Sequence, residues 1–245
     1  MNESRVMMDR TWALDFACEP AQLHTPVPYV QTHAGALADY DGIWMFATDG
    51  APCISVPRDV YPSIANAAQR WTTVNERVVP MIRQHIAALT RRRISDVIGP
   101  AYVGLGFAEW LQLHDAARAR LLADKTHDLV GALRAEVTAE EWEHGGSEAH
   151  GPLFGSFDSA GGLAALSGYE VWNGTIAHIS IVSRTAERGR GYGRAAVALA
   201  TRHALAAGLV PQYRTLFSNA PSMGIARRLG FVEYGRSLAI RLVPT

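Results

Sequence analysis

Between Arg188 and Arg194 the chain reads Arg-Gly-Arg-Gly-Tyr-Gly-Arg, so Gly189, Gly191 and Gly193 alternate with Arg190 and Tyr192. Glycines at this spacing let the backbone take positive φ and approach a ligand closely. A helix predicted to open at Gly193 adds unbonded amide N–H groups and about half a positive charge at its start. Arg188, Arg190 and Arg194 supply charge-assisted donors, and three like charges in one turn are expected to repel one another without an anion between them. The chemistry these residues suit is the holding of a polyanion such as a diphosphate. From Arg188 to Val232 the chain carries seven arginines and no Asp or Glu, which leaves nothing there for a ribose diol or a magnesium ion. A Walker loop needs Gly-Lys-Ser/Thr where this chain has Gly193-Arg194-Ala195. A dinucleotide fingerprint needs a third glycine where Arg194 stands. The nine histidines lack H-E-x-x-H or H-x-x-E-H spacing, so no metal site is expected.

The elements that must position this loop are legible on both sides of it. Residues 152–157, 163–172 and 175–183 alternate as strands, joined by Asp158-Ser-Ala-Gly-Gly and by Asn173-Gly174, the residue pair of a type I′ hairpin. Residues 193–207 are alanine-rich with Val197, Ala200, Ala204 and Leu205 along one side, which predicts a helix ended by Gly208. A strand over 210–217, a helix over 221–229 stopped by Gly230 and closing strand material over 231–242 follow. Upstream, 119–122 suits a strand and 127–137 a helix. Thr138-Ala-Glu-Glu then reads as a capping box starting a short helix through Trp142, broken at Gly145-Gly146.

With that order in place, Arg188-x-x-Gly191-x-Gly193 resembles the R/Q-x-x-G-x-G/A pyrophosphate signature of the GNAT N-acetyltransferase superfamily. Asn219-x-x-Ser222 ahead of Leu229-Gly230-Phe231 is similar to its second signature. The resemblance covers residues 118–245 and implies a mixed α+β GNAT fold with a central, mixed, largely antiparallel sheet. It implies acetyl-CoA as co-substrate, with Ile181, Val182 and Ser183 offering backbone groups to the pantetheine arm where the strand splays. Arg188, Gly189, Arg190, Gly191, Tyr192, Gly193 and Arg194 would hold the pyrophosphate, and Asn219 and Ser222 would meet the far part of CoA or its amide. Seven residues after the Asn, where many members carry a Tyr that protonates the leaving thiolate, this chain has Ala226.

Acyl transfer to an alkylammonium of pKa ~10 requires a base. His178, on the strand leading to the splay, and Glu170, on its neighbour, are two candidates; a satisfied core histidine and a solvent-facing glutamate are the plainer readings. Glu143 is the third. With Trp142 and His144 it offers a carboxylate, an indole and an imidazole to a cationic amine, unless Trp142 is core at an exposed helix end.

Bulk composition restricts the alternatives. The 245 residues, 48% of them hydrophobic and 19% charged, carry 23 basic and 23 acidic side chains. No global field therefore draws the chain to nucleic acid or an anionic membrane. Asp9, Arg10, Asp15 and Glu19 interrupt any signal-peptide core, and no run approaches 18 apolar residues. Cys18 and Cys53 are too few and too far apart along the chain for a disulfide framework. A cytoplasmic location fits.

Residues 1–117 are expected to form a smaller N-terminal α/β domain of unassigned role, a degenerate GNAT-like half being one form of it. They hold a strand pair over 43–46 and 53–56, a helix over 74–89 interrupted near Pro80, and a strand over 98–107. The expectation is an enzyme of two domains, monomer or homodimer, acting on a small-molecule amine rather than a protein. The rivals are a non-catalytic CoA-binding sensor and a nucleotide-binding regulator.

Overall fold

The computed structural model describes residues 3–123, 127–145 and 151–245, and the chain divides into two compact units. Unit 1 holds the chain up to Val103 together with Thr215–Ser218 and Glu233–Thr245; unit 2 holds Gly104–Arg214 and Asn219–Val232. The division therefore does not fall at the expected 117/118 boundary. The N-terminal unit takes back the last strand of the chain.

In unit 1, helix α1 (Glu3–Phe16) precedes β1 (Tyr29–Thr32), β2 (Gly42–Ala47) and β3 (Cys53–Val56); helices α2 (Tyr61–Ala68) and α3 (Val78–Leu89) then lead into β4 (Arg92–Leu105). Strand alternation distributes β2 between two layers. Ile43, Met45 and Ala47 join the cluster of Ile64, Trp71, Ile82 and Ile86 beneath α2 and α3. Phe46, on the other face, stacks on Trp12 of α1 with ring centroids 4.0 Å apart. Pro80 does not interrupt α3. The helix starts at Val78, and Pro80 lies in the first turn, where its missing N–H leaves no helical bond unmade.

The sheet order in this unit is β1-β3-β2-β10-β4, where β10 is Val232–Pro244. β1 and β3 are parallel, and β10 lies antiparallel to β2 from Arg236↔Ala47 to Arg241↔Gly42. The closing strand expected to complete the C-terminal fold is thus one long strand inside unit 1, where Leu238, Ile240 and Leu242 add to the core. Both cysteines lie in this unit and are free, Cys18 partly exposed just after α1 and Cys53 buried at the start of β3.

Unit 2 contains β5 (Ala119–Leu121), α4 (His127–Ala135), α5 (Ala139–Gly145), β6 (Leu153–Phe157), β7 (Leu163–Trp172), β8 (Ile176–Ser183), α6 (Tyr192–Ala206), β9 (Val210–Leu216) and α7 (Ala220–Leu229). Its sheet order is β9-β8-β7-β6-β5. Only β8 and β9 run parallel; the other three pairs are antiparallel. The β7–β8 turn has positive φ at both Asn173 and Gly174, as a type I′ hairpin requires. The capping box at α5 is formed reciprocally. The Glu141 amide donates to Thr138 Oγ1 at 3.1 Å, and the Thr138 amide donates to Glu141 Oε2 at 3.0 Å. Gly146, expected to help break the chain after α5, lies outside the described residues.

Candidate functional site

Two sheet faces serve different helices. Tyr169 and Ile179 share one face, where the Tyr169 hydroxyl meets His203 Nδ1 of α6 at 2.8 Å. Leu166 and Val182 lie on the other face, clustered with Leu133 of α4 and Trp142 of α5. Between the layers, β8 has unequal partners. Its parallel register with β9 runs from Ile176↔Val210 to Ile179↔Tyr213, whereas its register with β7 continues to Ala165↔Ser183. Residues 180–183 therefore follow a point at which the two parallel strands part, and Ile181, Val182 and Ser183 lie in that segment. The last residue of α5 reaches the same edge: Gly145 sits so close to the Ile181 carbonyl oxygen that a Cβ there would overlap it.

After Ser183 a single 3-10 turn, Thr185–Glu187, leads to the glycine loop. Gly189 and Gly191 have φ of +80° and +87°, a conformation costly for a side-chain-bearing residue, and Gly191 caps α6 with no side-chain bond of its own. Its carbonyl accepts the Ala195 amide at 3.0 Å, so the first helical amides precede the intrahelical ladder. A Cβ on Gly193 would come 3.0 Å from Ser183 Oγ and 3.3 Å from Ile225 Cδ1, which accounts for glycine there. This arrangement fits a diphosphate: amides converge at a helix start without side chains in the way.

The arginines differ from expectation. Each already has a carboxylate partner: Arg188 with Glu141 at 2.6 Å, Arg190 with Glu187 at 3.0 Å, and Arg194 with Asp115 at 2.5 Å. Mutual repulsion therefore does not by itself demand an anion, and the case for the loop rests on its backbone. Arg118 Nη1, 3.5 Å from the Cβ position of Gly191, adds a fourth guanidinium that the sequence did not signal. Glu141 also has a role beyond capping. Its carboxyl is held below the usual range by the Thr138 amide bond and by Arg188, which ties the start of α5 to the loop.

Asn219 is the N-cap of α7, its Oδ1 accepting the Ser222 amide at 3.1 Å. Ser222 Oγ in turn meets the Tyr213 hydroxyl at 2.8 Å, at the strand position where β8 and β9 last pair. Burial, only partly offset by that bond, pushes the Tyr213 phenol up to about 12. Ala226 is fully buried.

His178 and Glu170 are register partners on the α4/α5 face, and Gln212 stands next in the same row. The His178 ring stacks on Trp172 at 4.0 Å, and the Trp172 indole donates to Glu170 Oε2 at 3.0 Å. Burial, assisted by Arg214, pulls the His178 imidazole down to about 3, so it is neutral at neutral pH. Trp142 is buried, with the Arg134 guanidinium 5.4 Å from its ring centroid, while Glu143 and His144 are exposed. Among the described residues no group of three or more His, Cys, Asp or Glu could hold a metal ion, and no helix is long and apolar enough to cross a membrane.

A mixed α/β unit whose one parallel strand pair parts beside a left-handed glycine turn defines the class of fold. The sequence profile described as the acetyltransferase (GNAT) family matches residues 92–231, and the chain belongs to that family. The match begins at β4 and stops at the residue before β10.

One solved structure shares the fold. A GNAT-family protein from Novosphingobium aromaticivorans is 21% identical, with a TM-score of 0.51 over 63% of this chain and 68% of that one. A GNAT acetyltransferase from Colwellia psychrerythraea is 17% identical, with a TM-score of 0.48 over 60% and 57%. A Salmonella typhimurium protein solved with its cofactor acetyl-CoA is 14% identical, with a TM-score of 0.39 over 51% and 92%. No curated protein sequence matches the chain.

Proposed function

We propose that the chain transfers an acetyl group from acetyl-CoA to a primary amine of a small molecule, by direct attack with general-base assistance. The observation that carries this reading is the parting of β8 from β9 after Ile179↔Tyr213, directly ahead of the Gly189/Gly191 turn that opens α6. Acetyl-CoA, when bound, supplies an activated thioester. The amides of the loop and of the first turn of α6 hold its diphosphate, with Arg188, Arg190 and Arg194 exchanging or sharing their carboxylate partners. The free edge of Ile181 to Ser183 takes the pantetheine amides, and Asn219 and Ser222 present the start of α7 to the same ligand.

The row Glu170–His178 lies on the face of α4 and α5, with His178 three residues before Ile181 on β8. Glu170 is the group assigned to take the amine proton. His178, neutral, accepts a hydrogen bond from the amine and keeps it oriented. Glu143 is the second candidate for the base, on the helix whose end touches Ile181. The leaving thiolate needs less acid help than an alkoxide would, so Ala226 is compatible with turnover.

A broad panel of primary amines with acetyl-CoA should release free CoA. CoA should also raise the unfolding temperature more than ATP does. Gly191→Asp should keep the far-ultraviolet circular dichroism of the native chain and abolish that CoA-dependent rise, because it places a carboxylate at the cap where a diphosphate must sit. Retained protection in this variant refutes the loop assignment. The buried Ala226, which puts no hydroxyl at that position, favours a second reading: a CoA-binding sensor. CoA protection without release of CoA by any amine selects it.

A further inference from the structure

The link between α2 and α3 is pinned to the core at Trp71, Val74 and Val78, all buried beneath the two helices. This spacing leaves Asn75 half-buried and turns Glu76 and Arg77 out to solvent. Asn75 fixes the turn: its Oδ1 accepts the Arg77 amide at 2.9 Å, and its carbonyl accepts the Val78 amide at 3.3 Å. The facing wall comes from the strands of the same unit. There β4 runs close against β10, so that a Cβ on Gly99 would come 2.8 Å from the Ser237 carbonyl oxygen. The Phe217 amide donates to the Pro100 carbonyl at 3.3 Å, and the Phe217 ring meets Tyr102 edge-on with centroids 6.0 Å apart. Arg236 of β10 lies over that ring, its Cζ 4.9 Å from the centroid. Both walls are thus held by the chain's own bonds and packing.

Between them is an open cavity of about 260 Å³, wholly within unit 1. Its volume is at the small end of ligand pockets, which suits a metabolite of a few heavy atoms rather than a nucleotide or a peptide. Val74, Pro100 and Phe217 give it an apolar floor, and the exposed Glu76, Arg77 and Arg236 bring charge of both signs to its mouth. Arg236 binds Glu233 through Nε at 2.6 Å, which leaves the outer edge of its guanidinium to donate. Arg77 has no ion pair among the described residues. With Glu233 included, two guanidiniums stand against two carboxylates. A plain anion or a plain cation answers only one sign in such a set, whereas a zwitterion answers both.

We infer that this cavity binds a free α-amino acid with an apolar side chain. The ligand carboxylate accepts from Arg77 and from the outer edge of Arg236. Its ammonium lies against Glu76, and its side chain covers Phe217, Pro100 and Val74. No bond is made or broken, and neither the coenzyme loop nor acetyl transfer enters this reading.

The test is a titration of the full chain, without CoA, followed by saturation-transfer NMR of the added ligand. The probes are L-phenylalanine, hydrocinnamate, which lacks the ammonium, and phenethylamine, which lacks the carboxylate. L-phenylalanine should bind, and each of the other two should bind at least about tenfold more weakly. Arg77→Gln should weaken L-phenylalanine and hydrocinnamate and leave phenethylamine unchanged; Glu76→Gln should weaken L-phenylalanine and phenethylamine and leave hydrocinnamate unchanged. Both substitutions are at exposed side chains, and far-ultraviolet circular dichroism checks that each variant is folded. Absence of saturation transfer to millimolar L-phenylalanine overturns the proposal, and so does an affinity for L-phenylalanine that Arg77→Gln does not change. Binding of phenethylamine or hydrocinnamate as tight as that of L-phenylalanine overturns the zwitterion assignment. Release of CoA with amines is measured separately, so failure of either reading leaves the other standing.

Discussion

At the scale of single residues, His24 is the group through which pH acts most directly on unit 1. Its Nδ1 lies 2.8 Å from Asp49 and its Nε2 3.1 Å from Asp9, with Thr48 Oγ1 at 3.0 Å from Nδ1. Arg5 pairs with the same Asp49, and the Tyr234 hydroxyl donates to Asp9 at 2.6 Å. Burial lowers the His24 imidazole, and the bonds to Asp49 and Asp9 together outweigh it, leaving its pKa above 6.5. The Asp49 carboxyl is drawn down from 3.8 to about 2, first by the His24 bond. Because the His24 pKa is raised on folding, its contribution is complete below 6.5 and is lost as pH rises through the higher folded value. The Asp49 contribution is complete above 3.8 and is lost as pH falls through about 2. Both are present between those limits. Urea unfolding followed across pH should show stability declining on the alkaline side of that window, and His24→Gln should remove this alkaline decline.

Ala17 permits a second prediction at this scale. A residue with a Cβ occupies the left-handed position where helix ends prefer glycine, so Ala17→Gly should stabilise the chain by roughly 0.5–1 kcal/mol, the relief of strain exceeding the added entropy of the unfolded state. The urea midpoint measures it.

Among the elements, α5 is short and depends on its cap. Thr138→Ala removes the Oγ1 that holds the Glu141 amide and should cost about 1 kcal/mol in denaturant unfolding. It also frees Glu141 from one of its anchors beside Arg188, so CoA-dependent thermal protection should change along with stability. A fall in stability with an unchanged CoA effect would separate the cap from the loop.

Elements whose signals are local were legible in the sequence. The Asn173-Gly174 hairpin, the Thr138–Glu141 box and the alanine-rich α6 each carry their instruction within a few residues. α1 was not legible. Its buried face includes Asp9 and Thr11 beside Met8, Trp12 and Phe16, so the apolar stripe is broken by polar groups: Thr11 bonds back to the Met7 carbonyl within the helix, and Asp9 meets Tyr234 only in the folded chain. The candidate site divides the same way. The glycine loop announces itself by residue type, whereas the N-cap role of Asn219 and the pairing of Arg188 with Glu141, 47 residues upstream, come into view only in the fold. Likewise the sequence places His178 on the strand leading to the splay, but its stacking on Trp172 depends on the β7–β8 register.

For the molecule as a whole, the two compact units are not cut at one point of the chain, as the expected 117/118 boundary had it: the last strand returns to the first unit. Periodicity identifies a strand near the end of the chain, but its partner is chosen by complementary apolar faces far away. Arg236 to Arg241 pair with residues 42–47, and Leu238, Ile240 and Leu242 complete a core begun by Ile43 and Met45. Deleting residues 233–245 should therefore unfold the N-terminal unit. Losing those three buried apolar side chains alone removes about 2–5 kcal/mol each, before the strand's own bonds are counted. Limited proteolysis of the shortened chain should cut first within residues 1–103 and more slowly within 119–214.

That strand also gives the protein a timetable. A ribosome that has released everything up to Val232 has delivered every residue of unit 2, while the first unit still waits with β2 lacking the neighbour that β10 provides. The N-terminal part, though made first, finishes last, and until then its exposed strand border is the place where a chaperone or a wrong partner has the longest opportunity to bind.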